Sequence, residues 1–118
     1  MSYQIETTPT FDRAVKRLLK KYRHLKGDLL SLAAVLVDNP FAGVAIPGYS
    51  HAVWKIRLAS SDMQTGKRGG YRVIYAVDTA GHRCILLFLY AKNDQNDVTP
   101  AEIEKLLSDL EQIGRAHV

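Results

Sequence analysis

The spacing of hydrophobic residues predicts two helices near the start of the chain. Between residues 11 and 22, hydrophobic side chains recur three or four positions apart, which places them on one face of a helix. Gly27 interrupts this pattern, and Asp28 can cap a second, nearly apolar helix that reaches residue 37. We expect Thr10 to cap the first helix and the two helices to form a hairpin.

The remaining pattern predicts a small sheet followed by a third helix. Four segments either alternate hydrophobic and polar residues or are mostly apolar, as β-strands are: residues 3–7, 52–60, 70–78 and 83–92. The last of these is nearly all apolar and should be an interior strand, whereas residues 38–50 read as a loop. Thr99, Pro100 and Glu102 begin the third helix with a capping box. The order β-α-α-β-β-β-α predicts one α+β domain over residues 1–118, with an antiparallel meander and helices on one face.

Composition excludes several classes of protein and site. The chain has 118 residues, 47% hydrophobic and 24% charged, which are globular values. Its one cysteine, Cys84, excludes an internal disulfide, and the four histidines lack metal-ligand spacing, so no metal or other cofactor is expected. No segment approaches the ~20 apolar residues of a membrane span, and no signal peptide is visible, so we expect a cytoplasmic protein without a membrane partner.

The distribution of charge favours a polyanionic partner. The net charge is +4, from 16 Lys and Arg against 12 Asp and Glu. Residues 13–26 contain basic residues and no acidic ones, and residues 55–92 are mainly basic, whereas the end of the chain is acidic. A basic body of this kind suits a nucleic acid, although charge alone does not separate DNA, RNA and acidic protein.

A group of cationic side chains is predicted on one face of the sheet. Lys55 and Arg57 are two positions apart in a strand and therefore share a face. Arg72 should join them on the solvated polar face of the next strand, with Tyr90 and Lys92 from the third. Fixed cations suit the binding of a phosphodiester and the stabilisation of its transition-state charge. The alternative is an ordinary solvated sheet face.

Two further features have both a functional and a structural interpretation. The segment 66–70 carries Lys67 and Arg68 between glycines and could follow a phosphate backbone, or it could be a solubilising strand connection. It lacks the residues of a Walker loop. His51 precedes the Lys55 strand and could act as a general base, or it could be a structural or solvent-exposed histidine.

Three segments together resemble the RelE/ParE toxin superfamily, and most of all its RelE- and HigB-like members. They are residues 53–59 (VWKIRLA), 66–75 (GKRGGYRVIY) and 87–94 (LFLYAKND). The resemblance covers nearly the whole chain, including the order of its elements. It implies an mRNA interferase of a type II toxin–antitoxin pair, which cleaves mRNA on the ribosome with the RNA 2′-hydroxyl as nucleophile and without metal. A separate antitoxin protein is the implied partner.

The resemblance also implies roles for particular residues. Lys55, Arg57 and Arg72 match the cationic strand positions of the family and are expected to bind phosphate and stabilise charge. Asn93 and Thr99 stand where some RelE members carry Arg and Tyr. Tyr90 and Lys92 are therefore expected to complete the catalytic set, and Lys67 and Arg68 to bind RNA.

Two other functions remain open at this stage. ParE-like relatives share the fold and inhibit DNA gyrase without cleaving RNA, and a basic binding module needs no catalysis at all. The presence of Lys55, Arg57 and Arg72 favours the nuclease. For a ribosome-dependent enzyme, a second basic group on the first helix, Lys16, Lys20 and Lys21, is expected to contact the ribosome.

Overall fold

The computed structural model describes residues 2–63, 69–95 and 97–116, with side chains as far as residue 110. Its elements are β1 (Gln4–Thr7), α1 (Pro9–Leu19), α2 (Leu25–Asp38), β2 (Val44–Ala45), β3 (Val53–Leu58), β4 (Tyr71–Asp78), β5 (Arg83–Ala91) and α3 (Pro100–Ala116). The predicted α+β order is confirmed, with β2 as an addition. This strand has only two residues, too few for alternation to reveal. No helix in the described part of the chain is long and apolar enough to cross a membrane.

The strands form one sheet in the order β1-β5-β4-β3-β2. The antiparallel meander of β3, β4 and β5 is confirmed, and β5 is an interior strand as predicted. The first strand departs from the prediction, because β1 pairs with β5 in the parallel direction. The meander alone would leave the outer edge of β5 unpaired, and β1 satisfies the backbone groups along that edge.

Helices cover both faces of the sheet, so the prediction of helices on one face is wrong. The side chains of Tyr71, Val73 and Tyr75 share a core with α1 and α2. Val53 and Ile74 point to the opposite face, where Ile103 and Leu106 of α3 cover them. Residues 71–77 of β4 are all buried, and a strand buried on both faces needs an apolar layer on each.

The helix starts also differ from the sequence-based prediction. Thr8, not Thr10, caps α1, because its side-chain oxygen accepts a hydrogen bond from the Phe11 N–H at 3.2 Å and Pro9 occupies the first turn. Gly27 and Asp28 lie inside the first turn of α2 rather than before it. The capping box of α3 is confirmed by reciprocal bonds between Thr99 and Glu102.

A β-bulge changes the direction of the side chains along β5. Ile74 pairs with Phe88 whereas Tyr75 pairs with Leu86, so Leu87 is an extra residue in β5. Side chains that are an even number of residues apart along β5 therefore face opposite sides of the sheet when the bulge lies between them. Leu86 faces the α1–α2 hairpin, and Tyr90, four positions later, faces α3.

Candidate functional site

Three strands bring a row of polar side chains together on the face that α3 partly covers. Arg57 of β3 lies opposite Arg72 of β4, and Arg72 lies opposite Tyr90 of β5. Directly opposed residues on neighbouring strands have Cβ atoms roughly 5 Å apart. Lys55 is two positions from Arg57 and shares its face. The structure thus brings together four of the five residues that the sequence proposed as a site, namely Lys55, Arg57, Arg72 and Tyr90.

The two arginines form an electrostatically unfavourable pair. Like charges directly opposite each other destabilise a sheet. Among the described residues, no carboxylate forms an ion pair with either guanidinium. The Arg72 guanidinium donates instead to the carbonyl oxygens of Gly69 (3.3 Å) and Tyr71 (3.1 Å), which leave its charge uncompensated. An anion at this point would relieve the repulsion between Arg57 and Arg72.

The prediction that Arg72 lies on a solvated surface is wrong. Its side chain points to the predicted face, but the residue is only 7% exposed. The face is not solvated here because α3 packs over the same side of β4. Arg57, one strand further from the helix, remains exposed. Arg72 is therefore a fixed cation, held by neighbouring backbone carbonyls.

A carboxylate that the sequence analysis did not select joins this group. The Asp97 Oδ1 atom is 3.2 Å from Lys55 Nζ, and the Tyr90 hydroxyl donates to the same oxygen at 3.5 Å. Asp97 belongs to the acidic stretch before α3, which the sequence analysis treated only as charge. Its position directly before the α3 capping box was the available signal. The bond from the Val98 N–H and the nearby Lys55 ammonium lower the pKa of Asp97.

Burial controls the protonation of the phenol in the row. It raises the pKa of Tyr90 to about 12, and the Asp97 charge acts in the same direction, while Arg72 opposes it. Tyr90 therefore keeps its proton at neutral pH and is a hydrogen-bond donor. At that pH the row offers two guanidinium groups, one phenol and one ammonium, with one carboxylate beside them.

Two clefts open on either side of these cations. One has a volume of about 440 Å³ and lies between the end of β3 and the start of β4, bordered by Arg57, Met63 and Gly69. The other, about 200 Å³, lies between β2 and the start of α3, bordered by Lys55 and Asp97. Each cleft is thus bordered by a different cation of β3, the larger by Arg57 and the smaller by Lys55.

Comparison with known proteins assigns the chain to a family. Residues 10–113 match the family described as the RelE toxin of the RelE/RelB toxin–antitoxin system. The chain belongs to the RelE toxin family. The fold is also that of solved RelE structures. A mutant of the Escherichia coli toxin RelE in the free state is 20% identical, with a TM-score of 0.57 over 96% of this chain and 99% of that one. The RelBE2 toxin–antitoxin complex of Mycobacterium tuberculosis is 19% identical, with a TM-score of 0.58 over 77% of this chain and 99% of the matched one.

The other residues predicted for a RelE-type site have different outcomes. Lys67 and Arg68 lie outside the described residues. Lys92 directly follows β5, and its N–H donates to the Gly70 carbonyl at 3.0 Å, which places it at the start of β4. His51 lies before the opposite end of β3, where its carbonyl oxygen accepts a bond from the Trp54 indole at 2.7 Å. The structure therefore does not bring His51 to the row.

The second basic group of this RelE-family chain approaches the same end of the sheet from the other face. Lys16, Lys20 and Lys21 are exposed on and just after α1. The Lys21 ammonium lies 5.4 Å from the centre of the Tyr22 ring, which packs edge-on against Tyr71. Tyr71 is the neighbour of Arg72 in β4. Lys21 thus lies near the start of β4, on the opposite side of the sheet from Arg72.

Two polar contacts tie the α1–α2 turn to the chain that leaves β3. The His24 ring and the Asp62 carboxylate are 2.6 Å apart, and this contact raises the pKa of His24 and lowers that of Asp62. Asp28 accepts hydrogen bonds from the backbone and side chain of Ser61. These bonds fix the segment that borders the larger cleft.

Proposed function

We propose that this member of the RelE toxin family is an mRNA endonuclease that acts on the ribosome in the cytoplasm and is neutralised by a cognate antitoxin protein. The observation that carries the proposal is the facing pair Arg57 and Arg72, with Lys55 and Tyr90 beside it. Two guanidinium groups on rigid strands, with no carboxylate partner among the described residues, suit a phosphodiester, whose oxygens accept several charge-assisted bonds.

The site residues divide the chemical work in the proposed reaction. The RNA 2′-hydroxyl gives its proton to solvent as it attacks the adjacent phosphorus, the bond to the 5′-oxygen breaks, and a 2′,3′-cyclic phosphate is formed. The phosphoryl oxygens gain negative charge in the transition state, and Arg57 and Arg72 are held where they can stabilise it. Lys55 can give a proton to the leaving oxygen, and the protonated Tyr90 can donate a hydrogen bond. These cations supply the positive charge that a metal ion provides in other nucleases, so the proposed reaction is metal-independent.

Mapping of transcript ends tests the proposal. The chain is expressed without its antitoxin, and new RNA ends are sequenced from a translated message and from the same message without a start codon. We expect cuts in phase with codons only in the translated message, and cleavage by purified protein on ribosomes in a low-magnesium buffer with EDTA and polyamine. Intact mRNA together with a block of DNA supercoiling would instead indicate a gyrase inhibitor. RNA binding without either effect would indicate a binding module.

Salt should weaken the binding of single-stranded RNA to a degree set by the number of phosphate contacts. We expect four to six contacts, from Lys55, Arg57, Arg72 and Lys92, with Lys67 and Arg68 as the fifth and sixth. At ~0.7 per contact for single strands, the slope of log affinity against log salt should be roughly −3 to −4. Fluorescence anisotropy over a salt series measures it. A slope near zero would contradict phosphate binding by this group.

Replacing Lys16, Lys20 and Lys21 together by glutamine should weaken association with the ribosome and flatten its salt dependence. These side chains are exposed, so the fold should be unaffected. Lys55→Gln should instead lower the cleavage rate more than binding, because Lys55 lies beside the arginine pair. Sedimentation with ribosomes and single-turnover cleavage measure the two quantities. Equal losses of binding in both variants, with unchanged cleavage, would show that Lys55 only binds.

A further inference from the structure

The Asp97 carboxylate is an unexpected group in a site that is proposed to bind a polyanion. One of its oxygens, Oδ1, accepts from the Val98 N–H at 2.8 Å and contacts Lys55 Nζ at 3.2 Å. The same oxygen accepts a hydrogen bond from the Tyr90 hydroxyl at 3.5 Å. The Asp97 side chain is 61% exposed, so a molecule in the site can approach it.

The contacts of Asp97 hold the Lys55 ammonium in place and orient the hydroxyl of Tyr90, whose ring is already fixed by packing. A lysine side chain loses up to about 2 kcal/mol of rotamer freedom when it is held in one place. The bond to Asp97 imposes this cost before RNA arrives and leaves two of the three ammonium protons available. Asp97 is itself held by the backbone of Val98 at the start of α3, so the carboxylate is a fixed anchor.

We propose that Asp97 is a positioning residue, which holds the Lys55 ammonium and the Tyr90 hydroxyl on one oxygen in the arrangement that RNA cleavage requires. This inference rests on the proposed function. The carboxylate also repels phosphate, so it weakens RNA binding while it favours the chemical step. Removal of the carboxylate charge should therefore tighten RNA binding and slow cleavage. A purely structural role or an inhibitory role of Asp97 would change both quantities in the same sense.

Asp97→Asn tests the proposal, since asparagine has nearly the same shape without the charge. We expect single-turnover cleavage to slow about 10- to 100-fold, because misplacing a reacting group by about 1 Å can cost 10²-fold. RNA affinity should rise about two- to fivefold, as removal of one nearby negative charge implies. Asp94→Asn is the matched control, an exposed carboxylate in the same connection, and should change neither quantity by more than about twofold.

Two outcomes would overturn the proposal. If Asp97→Asn speeds cleavage and tightens binding, the carboxylate is an inhibitory phosphate mimic. If the variant loses affinity and melting temperature together, Asp97 only supports the start of α3. A double-mutant cycle adds a check on the mechanism: in a Tyr90→Phe background the loss caused by Asp97→Asn should be smaller, because one of the two positioned donors is already absent.

A pH titration followed by fluorine NMR tests the contact between Asp97 and Tyr90 independently of RNA cleavage. The six tyrosines are replaced by 3-fluorotyrosine, and the Tyr90 resonance is identified by its loss in Tyr90→Phe. The Asp97 charge raises the pKa of Tyr90, so this resonance should titrate at lower pH in Asp97→Asn and be unchanged in Asp94→Asn. No difference would overturn the proposed contact. The Tyr90 resonance could titrate at lower pH in Asp97→Asn than in the wild type while the wild-type protein cleaves no RNA. That result would contradict the proposed function and leave the contact between Asp97 and Tyr90 established.

Discussion

Arg72→Ala should lower the rate of RNA cleavage by about 10²- to 10³-fold, the usual effect of removing one preorganised donor to a developing charge. Arg72 lies between Arg57 and Tyr90 in the row and is the most buried of the site cations that the structure describes. Its charge therefore acts with little screening by solvent. Single-turnover cleavage of a ribosome-bound message measures the effect, and growth arrest on expression reports it in cells.

The burial of Arg72 requires controls for folding. Alanine leaves a space where the guanidinium bonds to Gly69 and Tyr71 were, so thermal unfolding must be measured beside activity. Arg72→Met retains most of the volume without the charge and should be as inactive as alanine. Arg83→Met removes an arginine that pairs with Asp78 and Glu6 at the far end of β5, and should keep its cleavage rate. Growth arrest by a folded Arg72→Met protein would contradict the assignment.

Gly70→Ala should lower the free energy of unfolding by about 2–5 kcal/mol, which is the largest stability effect we expect from a single methyl group in this chain. Gly70 has a φ of +80°, and its Cβ would lie 2.5 Å from the Leu58 carbonyl oxygen. A left-handed conformation in a residue other than glycine costs about 1–3 kcal/mol, and forcing backbone apart in a packed region costs a similar amount. Urea denaturation followed by circular dichroism measures the change.

Gly27→Ala is the matched control for Gly70→Ala. Gly27 lies in α2, and a Cβ there would meet nothing within 4 Å. Alanine should therefore stabilise the helix by about 0.5–1 kcal/mol. Wild-type stability in Gly70→Ala would show that the β3–β4 connection can adjust to a side chain at this position.

The sequence was sufficient to predict which strand residues share a face. Alternation with a period of two placed Lys55 and Arg57 on one side of β3, and a meander placed Arg72 and Tyr90 in the following strands. Both inferences are local, and the observed register confirms them. The nearly apolar segment 83–92 similarly predicted an interior strand, because only a strand covered on both faces tolerates such a composition.

The sequence was not sufficient to predict what covers that face. The burial of Arg72 and the contact of Asp97 with Lys55 both depend on where α3 packs, and the apolar stripe of α3 fits either side of a sheet. The parallel pairing of β1 with β5 has the same cause. It joins segments that are almost eighty residues apart, and no local pattern specifies the partner.

The bulge at Leu87 decides which face of the sheet carries the phenol. Cys84 and Tyr90 are six positions apart, so in a regular strand both would face the α1–α2 hairpin. The bulge instead turns Tyr90 toward α3, while the first half of β5 keeps its pairing with β1. The Thr8 hydroxyl secures the extra residue, because it lies within hydrogen-bonding distance of the Leu86 and Leu87 carbonyl oxygens. A relative could therefore retain every amino-acid type in this site and lose its geometry if β5 paired regularly over the same number of residues. A deletion that removed the extra residue together with the bulge would leave the phenol facing α3, so alignments of such chains should place gaps in β5 at the bulge.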